Sequence, residues 1–223
     1  MSRLLLWRWG EPVEPLVEIL DRGGLLAIPT ESSYGLAADP WSREGVAAVR
    51  RVKGRILDPN RVPAGAPGGG WEDGKPLPVV AASAAQVAVL GADPAAPALA
   101  RVAGAWPAPL SIVLPCDPGL PAAGGGSGVA VRVPDHPRLR HLLVLLGRPL
   151  TATSANRTGE EPILDPAALP ALLAGERAAI VDDGVLPGGP PSTLVAPDGE
   201  RYRVLRQGRY PLADLDRLWP AGE

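Results

Sequence analysis

The 223-residue sequence has no phenylalanine, one methionine, one cysteine and two histidines. With Cys116 alone, no disulfide can form within the chain, and the length is enough to bury a sufficient core without such a staple. His136 and His141 have no second ligand at workable spacing, and Cys116 lies in the turn-like Pro115-Cys116-Asp117-Pro118. No metal site is therefore expected, and those residues read as structural. Long apolar runs are missing too. No stretch approaches the roughly 18 residues of a spanning helix, and Leu4, Leu5 and Leu6 are too few for a secretory signal. A soluble cytoplasmic protein with no membrane partner is expected. Neither sign of charge dominates, the net value being −2, so any affinity for nucleic acid must come from a local basic surface. The sequence also lacks Gly-x-x-x-x-Gly-Lys-[Ser/Thr], a Gly-x-Gly-x-x-Gly opening a helix, and a Gly-x-Ser-x-Gly elbow. A nucleotide, if bound, is bound by another design.

What the sequence does contain is a regular alternation of short elements. Apolar runs predict strands near 4–9 (an edge), 25–28 (central), 77–81, 111–114, 129–133, 149–153, 178–181, 192–195 and 202–205. Helical spacing predicts helices over 12–20, from Asp39 to about Gly54, and over 83–90, 95–105, 136–146, 165–173 and 212–219. Gly23-Gly24 closes the first helix, Ser42 or Asp39 caps the second, and Asp135 caps that at 136–146. Residues 56–75 lose periodicity and become rich in proline and glycine, which reads as an inserted mobile loop. The late hairpin around Asp198-Gly199 implies a mixed sheet. No repeat and no domain boundary is visible, so 1–223 reads as a single α/β domain.

Two local patterns point to chemistry. A buried strand stops at Pro29 and delivers Thr30, Glu31, Ser32, Ser33 and Tyr34; about eighteen residues on, Arg50, Arg51, Lys53 and Arg55 crowd six positions. Such a unit suits an anionic ligand, and it equally describes a polar loop followed by a solvated helix end. Polar residues recur at other strand ends: Arg132, then Ser154 and Asn156, Ser192, and Arg206. If strand carboxyl ends share one edge, these hydroxyl, amide and guanidinium groups converge there on a ligand carrying phosphates and a carboxylate. Five ordinary polar loops would give the same sequence.

Taken in order, Pro29-Thr30-Glu31-Ser32-Ser33-Tyr34-Gly35-Leu36, Lys53-Gly54-Arg55, Lys75-Pro76-Leu77-Pro78-Val79, Val131-Arg132-Val133-Pro134, Thr153-Ser154-Ala155-Asn156-Arg157-Thr158-Gly159, Pro191-Ser192-Thr193 and Leu205-Arg206-Gln207-Gly208 resemble the blocks of the YrdC/Sua5 family. The resemblance runs from about Gly24 to Gly208 and looks like the short form, without the family's additional C-terminal domain. It implies a twisted mixed open α/β sheet, helices on its faces, and a basic concave cavity. It also implies a threonylcarbamoyl-AMP synthase, a nucleotidyltransferase using L-threonine, bicarbonate and ATP with Mg²⁺. The product would serve formation of N6-threonylcarbamoyladenosine (t6A) in tRNA through a separate transferase complex, and tRNA itself is a possible partner. A non-catalytic binder of tRNA or double-stranded RNA and a carbamoyl-adenylate-forming enzyme share the fold as alternatives.

By the same resemblance, Lys53 and Arg55 would be catalytic and contact ATP phosphates. Asn156 and Arg206 would bind the nucleotide. Ser32, standing where the family usually has threonine, would contact the amino acid with Arg132, Ser154 and Ser192, and Thr30 and Tyr34 would shape the first loop. The sequence departs from the family at the 56–75 insertion and at Ala81 or Ala82, where a polar residue is expected and amino-acid selectivity is at stake.

Overall fold

Leu25, Leu26, Ala27 and Ile28 are all fully buried, as a continuous apolar run must be when a strand is covered on both faces. The computed structural model, which describes residues 4–54 and 75–219, makes this run β2 (Leu25–Pro29), the middle strand of a five-stranded sheet. Leu25 and Ala27 join one apolar cluster, and Leu26 and Ile28 the other. That is the two-residue alternation of a pleated strand. β1 (Leu5–Arg8) forms the expected edge. Between β1 and β2 runs β9 (Ala178–Asp182), parallel to both. On the other side β3 (Tyr34–Ala37) pairs antiparallel with β2, and β8 (Thr153–Ser154) antiparallel with β3.

A second, six-stranded sheet follows the order β11 (Arg201–Arg206), β10 (Thr193–Asp198), β5 (Leu110–Pro115), β6 (Gly128–Arg132), β4 (Val79–Val80) and β7 (Leu150–Thr151). Its pairings are mixed: β10 with β5 and β4 with β6 are parallel, the other three antiparallel. Where one mixed sheet was expected there are two, joined through the segment 150–154. Thr151 N–H donates to Ala38 O at 2.8 Å and Ala152 N–H to Pro78 O at 2.7 Å. Only Ala152 separates β7 from β8, so the expected strand 149–153 serves both sheets in turn.

Helices cover the first sheet on both faces. α1 (Glu14–Asp21) and α5 (Pro137–Leu145) set Leu16, Leu20, Leu139 and Leu142 against Leu26 and Ile28. α2 (Arg43–Val52) sets Val46 and Val49 into the larger cluster with Ile112 and Val131 of the second sheet. α3 (Ala84–Val87), α4 (Pro97–Ala103), α6 (Leu169–Leu172) and α7 (Leu212–Leu218) complete that layer. Gly23, at φ +68°, ends α1 with its N–H on Leu20 O, and Gly24 N–H reaches Ile19 O, the left-handed closure glycine permits.

Two local expectations change, at β3 and at the start of α5, and the choice left open at α2 is decided. Residues 34–36, read as loop, are strand β3: Tyr34 and Leu36 are fully buried, and the surrounding hydroxyl residues mask that alternation. Ser42 rather than Asp39 caps α2, its Oγ accepting from Gly45 N–H at 3.0 Å, a contact worth about 1 kcal/mol. His136, not Asp135, caps α5 through Nδ1 and Leu139 N–H. Asp135 stands one residue outside, its own N–H given to Glu31 Oε1.

Candidate active site

The turn from β2 to β3 is closed by its own threonine. Thr30 Oγ1 donates to Ser33 O at 2.7 Å, and Thr30 N–H reaches the same oxygen at 3.1 Å. Ser32 is thereby carried at the tip, its carbonyl accepting from Gly188 N–H at 2.9 Å. Behind it the Tyr34 hydroxyl donates to Gly184 O at 2.8 Å and accepts from Asp183 N–H at 3.1 Å. Burial raises the Tyr34 pKa and outweighs that N–H, so the hydroxyl stays protonated and structural.

Strand register gathers the rest. Ser154 lies opposite Gly35, Arg132 opposite Val80, and Leu194 opposite both Ser111 and Arg206. The result is one cavity of about 650 Å³, a size suited to a small-molecule ligand. Thr30, Ser32, Tyr34, Arg132, Ser154, Ser192 and Arg206 are all among the residues that line it. The expectation that strand carboxyl ends share this edge is only half met. β6 and β11 do end here, but β5 and β10 begin here, because antiparallel pairing turns them round.

Lys53 and Asn156 stand behind the wall rather than on it. Lys53 closes α2, followed by Gly54 at φ +70°, and is 4% exposed. Its Nζ donates to Ser154 O at 2.9 Å and also contacts Ser154 Oγ and Asn156 Oδ1. Ser154 Oγ donates in turn to Asn156 Oδ1 at 2.8 Å. Thr158 donates both N–H and Oγ1–H to Lys53 O, at 3.0 and 2.9 Å, so the second polar loop grips the helix end. Arg55 lies outside the described residues, as does nearly all of the 56–75 loop.

Two contributors went unassigned in the sequence reading. Ser111 interrupts the apolar β5, is 5% exposed, and places Oγ 2.8 Å from Ser192 Oγ on the cavity wall; a lone hydroxyl among Leu110, Ile112 and Leu114 was the available signal. Arg206 donates Nε and Nη2 to Ser192 O at 3.2 and 3.0 Å. Partial burial, then repulsion from Arg132, lowers the Arg206 pKa, yet a guanidinium remains charged. The second is Glu31, whose carboxylate takes Arg132 Nη1 on both oxygens, at 2.5 and 2.6 Å. Burial raises the Glu31 pKa, but the Arg132 charge and hydrogen bonds outweigh it and leave the value below 4.5. Ala81 and Ala82 are both off the wall, which Val80 lines instead; Gln86 Oε1 takes the Ala82 N–H at 2.7 Å.

Chemically, the described residues of the wall offer two guanidinium groups, several hydroxyls and one carboxylate, Glu161, with an ammonium just behind. No histidine or cysteine lines it. That set is chemically suited to binding and orienting anions by preorganised charge; covalent catalysis by a triad is not what it provides.

Comparison with known proteins matches residues 18–60 and 70–208 to the Sua5/YciO/YrdC family, described as telomere recombination. The chain is 31% identical over 202 residues to the threonylcarbamoyl-AMP synthase of Vibrio cholerae, covering 89% of this chain and 98% of that protein. Among solved structures it resembles Sua5 of P. abyssi complexed with L-threonine, with TM-score 0.79 and 27% identity, covering 98% of this chain but only 61% of that one. It also shares its fold with E. coli YciO at TM-score 0.72 and 21% identity, covering 98% of this chain and all of the other.

Proposed function

The chain belongs to the Sua5/YciO/YrdC family, and from that premise we propose that it is a threonylcarbamoyl-AMP synthase. L-Threonine, bicarbonate and ATP are the substrates, and Mg²⁺ enters with ATP as part of that substrate. The observation that carries this reading is the convergence of Ser32, Arg132, Ser154, Ser192 and Arg206 on one cavity.

The reaction explains the residue types. Bicarbonate takes up a proton and loses water to give carbon dioxide; the threonine amine adds to that carbon and releases a proton, which balances the one taken up, to become a carbamate. A carbamate oxygen then attacks the α-phosphorus of ATP in line, and the bond to the bridging oxygen breaks as pyrophosphate leaves. Both reactants are anionic, so the protein's task is to bring like charges together and hold their geometry. Arg132 takes the threonine carboxylate, with Ser32 and Ser192 beside it. Arg206 faces the nucleotide, and Lys53 supports Ser154 and Asn156 between the two halves. A well-placed donor in such a site is worth about 2.7–4 kcal/mol in the transition state. No protein nucleophile is needed.

Formation of N6-threonylcarbamoyladenosine in tRNA, a transferase complex as recipient, and a cytoplasmic location extend the proposal. No helix among the described residues is long and apolar enough to cross a membrane. The test is pyrophosphate release with ATP, bicarbonate, Mg²⁺ and each amino acid in turn. Release that depends on threonine is expected. Release without any amino acid shows a turnover that no threonine carbamate supplies, and salt-sensitive RNA binding with no release points to a non-catalytic role; either result refutes the synthase.

A further inference from the structure

The Glu31 carboxylate joins parts of the cavity that are far apart in sequence. Both its oxygens take Arg132 Nη1, 101 residues away, and Oε1 also takes the N–H of Asp135. The side chains of Glu31 and Arg132 are only 10% and 14% exposed. The Glu31 backbone carbonyl accepts from Arg209 Nη1 at 2.9 Å, and the next residue is Ser32. One residue thus ties the β2–β3 turn to the end of β6, to the start of the loop before α5 and to the segment after β11.

We propose that Glu31 is a positioning residue that sets amino-acid capture, by holding the Arg132 guanidinium and the Ser32 turn in fixed relation. This rests on the synthase reading for the identity of the ligand, a zwitterionic amino acid with one carboxylate. Arg132 has a long side chain with several rotors, and fixing it beforehand removes an ordering cost that substrate binding would otherwise meet. A guanidinium presents five donors in a rigid fork, so Glu31, by engaging Nη1, determines which edge of the fork turns toward the cavity. The same carboxylate offsets part of the positive charge. The site therefore recognises a carboxylate by direction as well as by attraction, and it discriminates against inorganic anions that a bare arginine would hold.

The experiment uses the full chain and two variants, Glu31→Gln and Glu31→Ala, with Arg132→Lys as reference. Glu31→Gln keeps an acceptor for Asp135 N–H and Arg132, so it is the variant expected to fold; thermal melts of all three check this. L-Threonine binding is read by calorimetry without ATP, and KM for threonine and for ATP by pyrophosphate release. The expected result is weaker threonine binding, with KM for threonine raised on the order of 10- to 100-fold and KM for ATP within about twofold. Inorganic sulfate should inhibit Glu31→Gln more strongly than the unaltered chain. Equal rises in both KM values, or an unchanged KM for threonine in a folded Glu31→Gln, would overturn the inference while leaving the synthase intact. An unaltered chain that releases pyrophosphate without threonine and fails to bind it overturns both. Binding of threonine without turnover, weakened in Glu31→Gln, upholds the role of Glu31 and refutes the synthase alone.

Discussion

Replacing Lys53 with methionine separates charge from volume at the junction of the two sheets. Methionine approximates the lysine stem and removes the ammonium, which donates to Ser154 O at 2.9 Å and contacts Ser154 Oγ and Asn156 Oδ1. Three oxygens lose a donor. Ser154 Oγ keeps its bond to Asn156 Oδ1, and Asn156 Nδ2 keeps Glu160 O, so the loop has other ties. Buried polar groups left short of a partner cost about 1–3 kcal/mol, and for a chain of this size that lowers Tm by roughly 2–12 °C. A typical domain has about 5–15 kcal/mol in hand, and the variant should fold. On the synthase reading activity should suffer more, because the ammonium holds Ser154 and Asn156 in place beside the cavity: the loss should be about 10² in kcat. Circular dichroism melts and pyrophosphate release at saturating substrate provide the two readings. A folded Lys53→Met with kcat within threefold of the original would refute that supporting role of Lys53. Unfolding at 25 °C would instead refute the claim that the surrounding bonds carry the loop.

Four other substitutions test neighbouring parts. Gly208→Ala would place Cβ 2.2 Å from Pro191 O and 2.6 Å from Ser192 O; since both are backbone atoms, relief needs a main-chain shift costing about 1–3 kcal/mol, visible in urea denaturation together with weaker substrate binding. Ser111→Ala removes one partner of Ser192 Oγ, at 2.8 Å, leaving Arg206 Nη2 at 3.2 Å, and should lower stability by about 1 kcal/mol while raising KM for threonine; a variant unchanged in both would show that the pair is inert. Tyr34→Phe strands Gly184 O and Asp183 N–H and should cost about 1–3 kcal/mol in the same denaturation assay. For Glu31 the folded pKa lies below 4.5, so its charge contributes stability above the unfolded value and that contribution disappears as pH falls through the folded one. The Tm difference between the original chain and Glu31→Gln should accordingly be full at pH 7 and shrink below about pH 4; a difference independent of pH would count against the ion pair.

Much of the fold was legible because it is written locally. Leu25 to Ile28 reads as a strand because a short apolar run that stops at Pro29 suits a strand covered on both faces. Ser42 and Gly23-Gly24 mark helix ends because capping is satisfied within a few residues. The polar residues at strand ends were visible one by one for the same reason: each interrupts an apolar run. β3 was not, because Thr30 to Ser33 reads as loop and the burial of Tyr34 and Leu36 shows only in the folded sheet. Nor could sequence show that β9 enters between β1 and β2, since strand pairing is set by contacts more than a hundred residues apart.

The site divides along the same line. Residue order determined which chemistry was present: guanidinium, ammonium, hydroxyl and amide groups, with no metal-ligand spacing and no nucleophile motif. Tertiary structure decided where each group stands. Lys53 lies behind Ser154 instead of facing the cavity, because α2 ends against the 154–158 loop. β5 and β10 bring Ser111 and Ser192 to the cavity at their N-terminal ends, because antiparallel neighbours reverse their direction. Glu31, only one carboxylate in a polar stretch by sequence, meets Arg132 because the β2–β3 turn and the end of β6 are packed on the same edge. Side-chain type is a property of one position; direction and partnership belong to the register of the sheets.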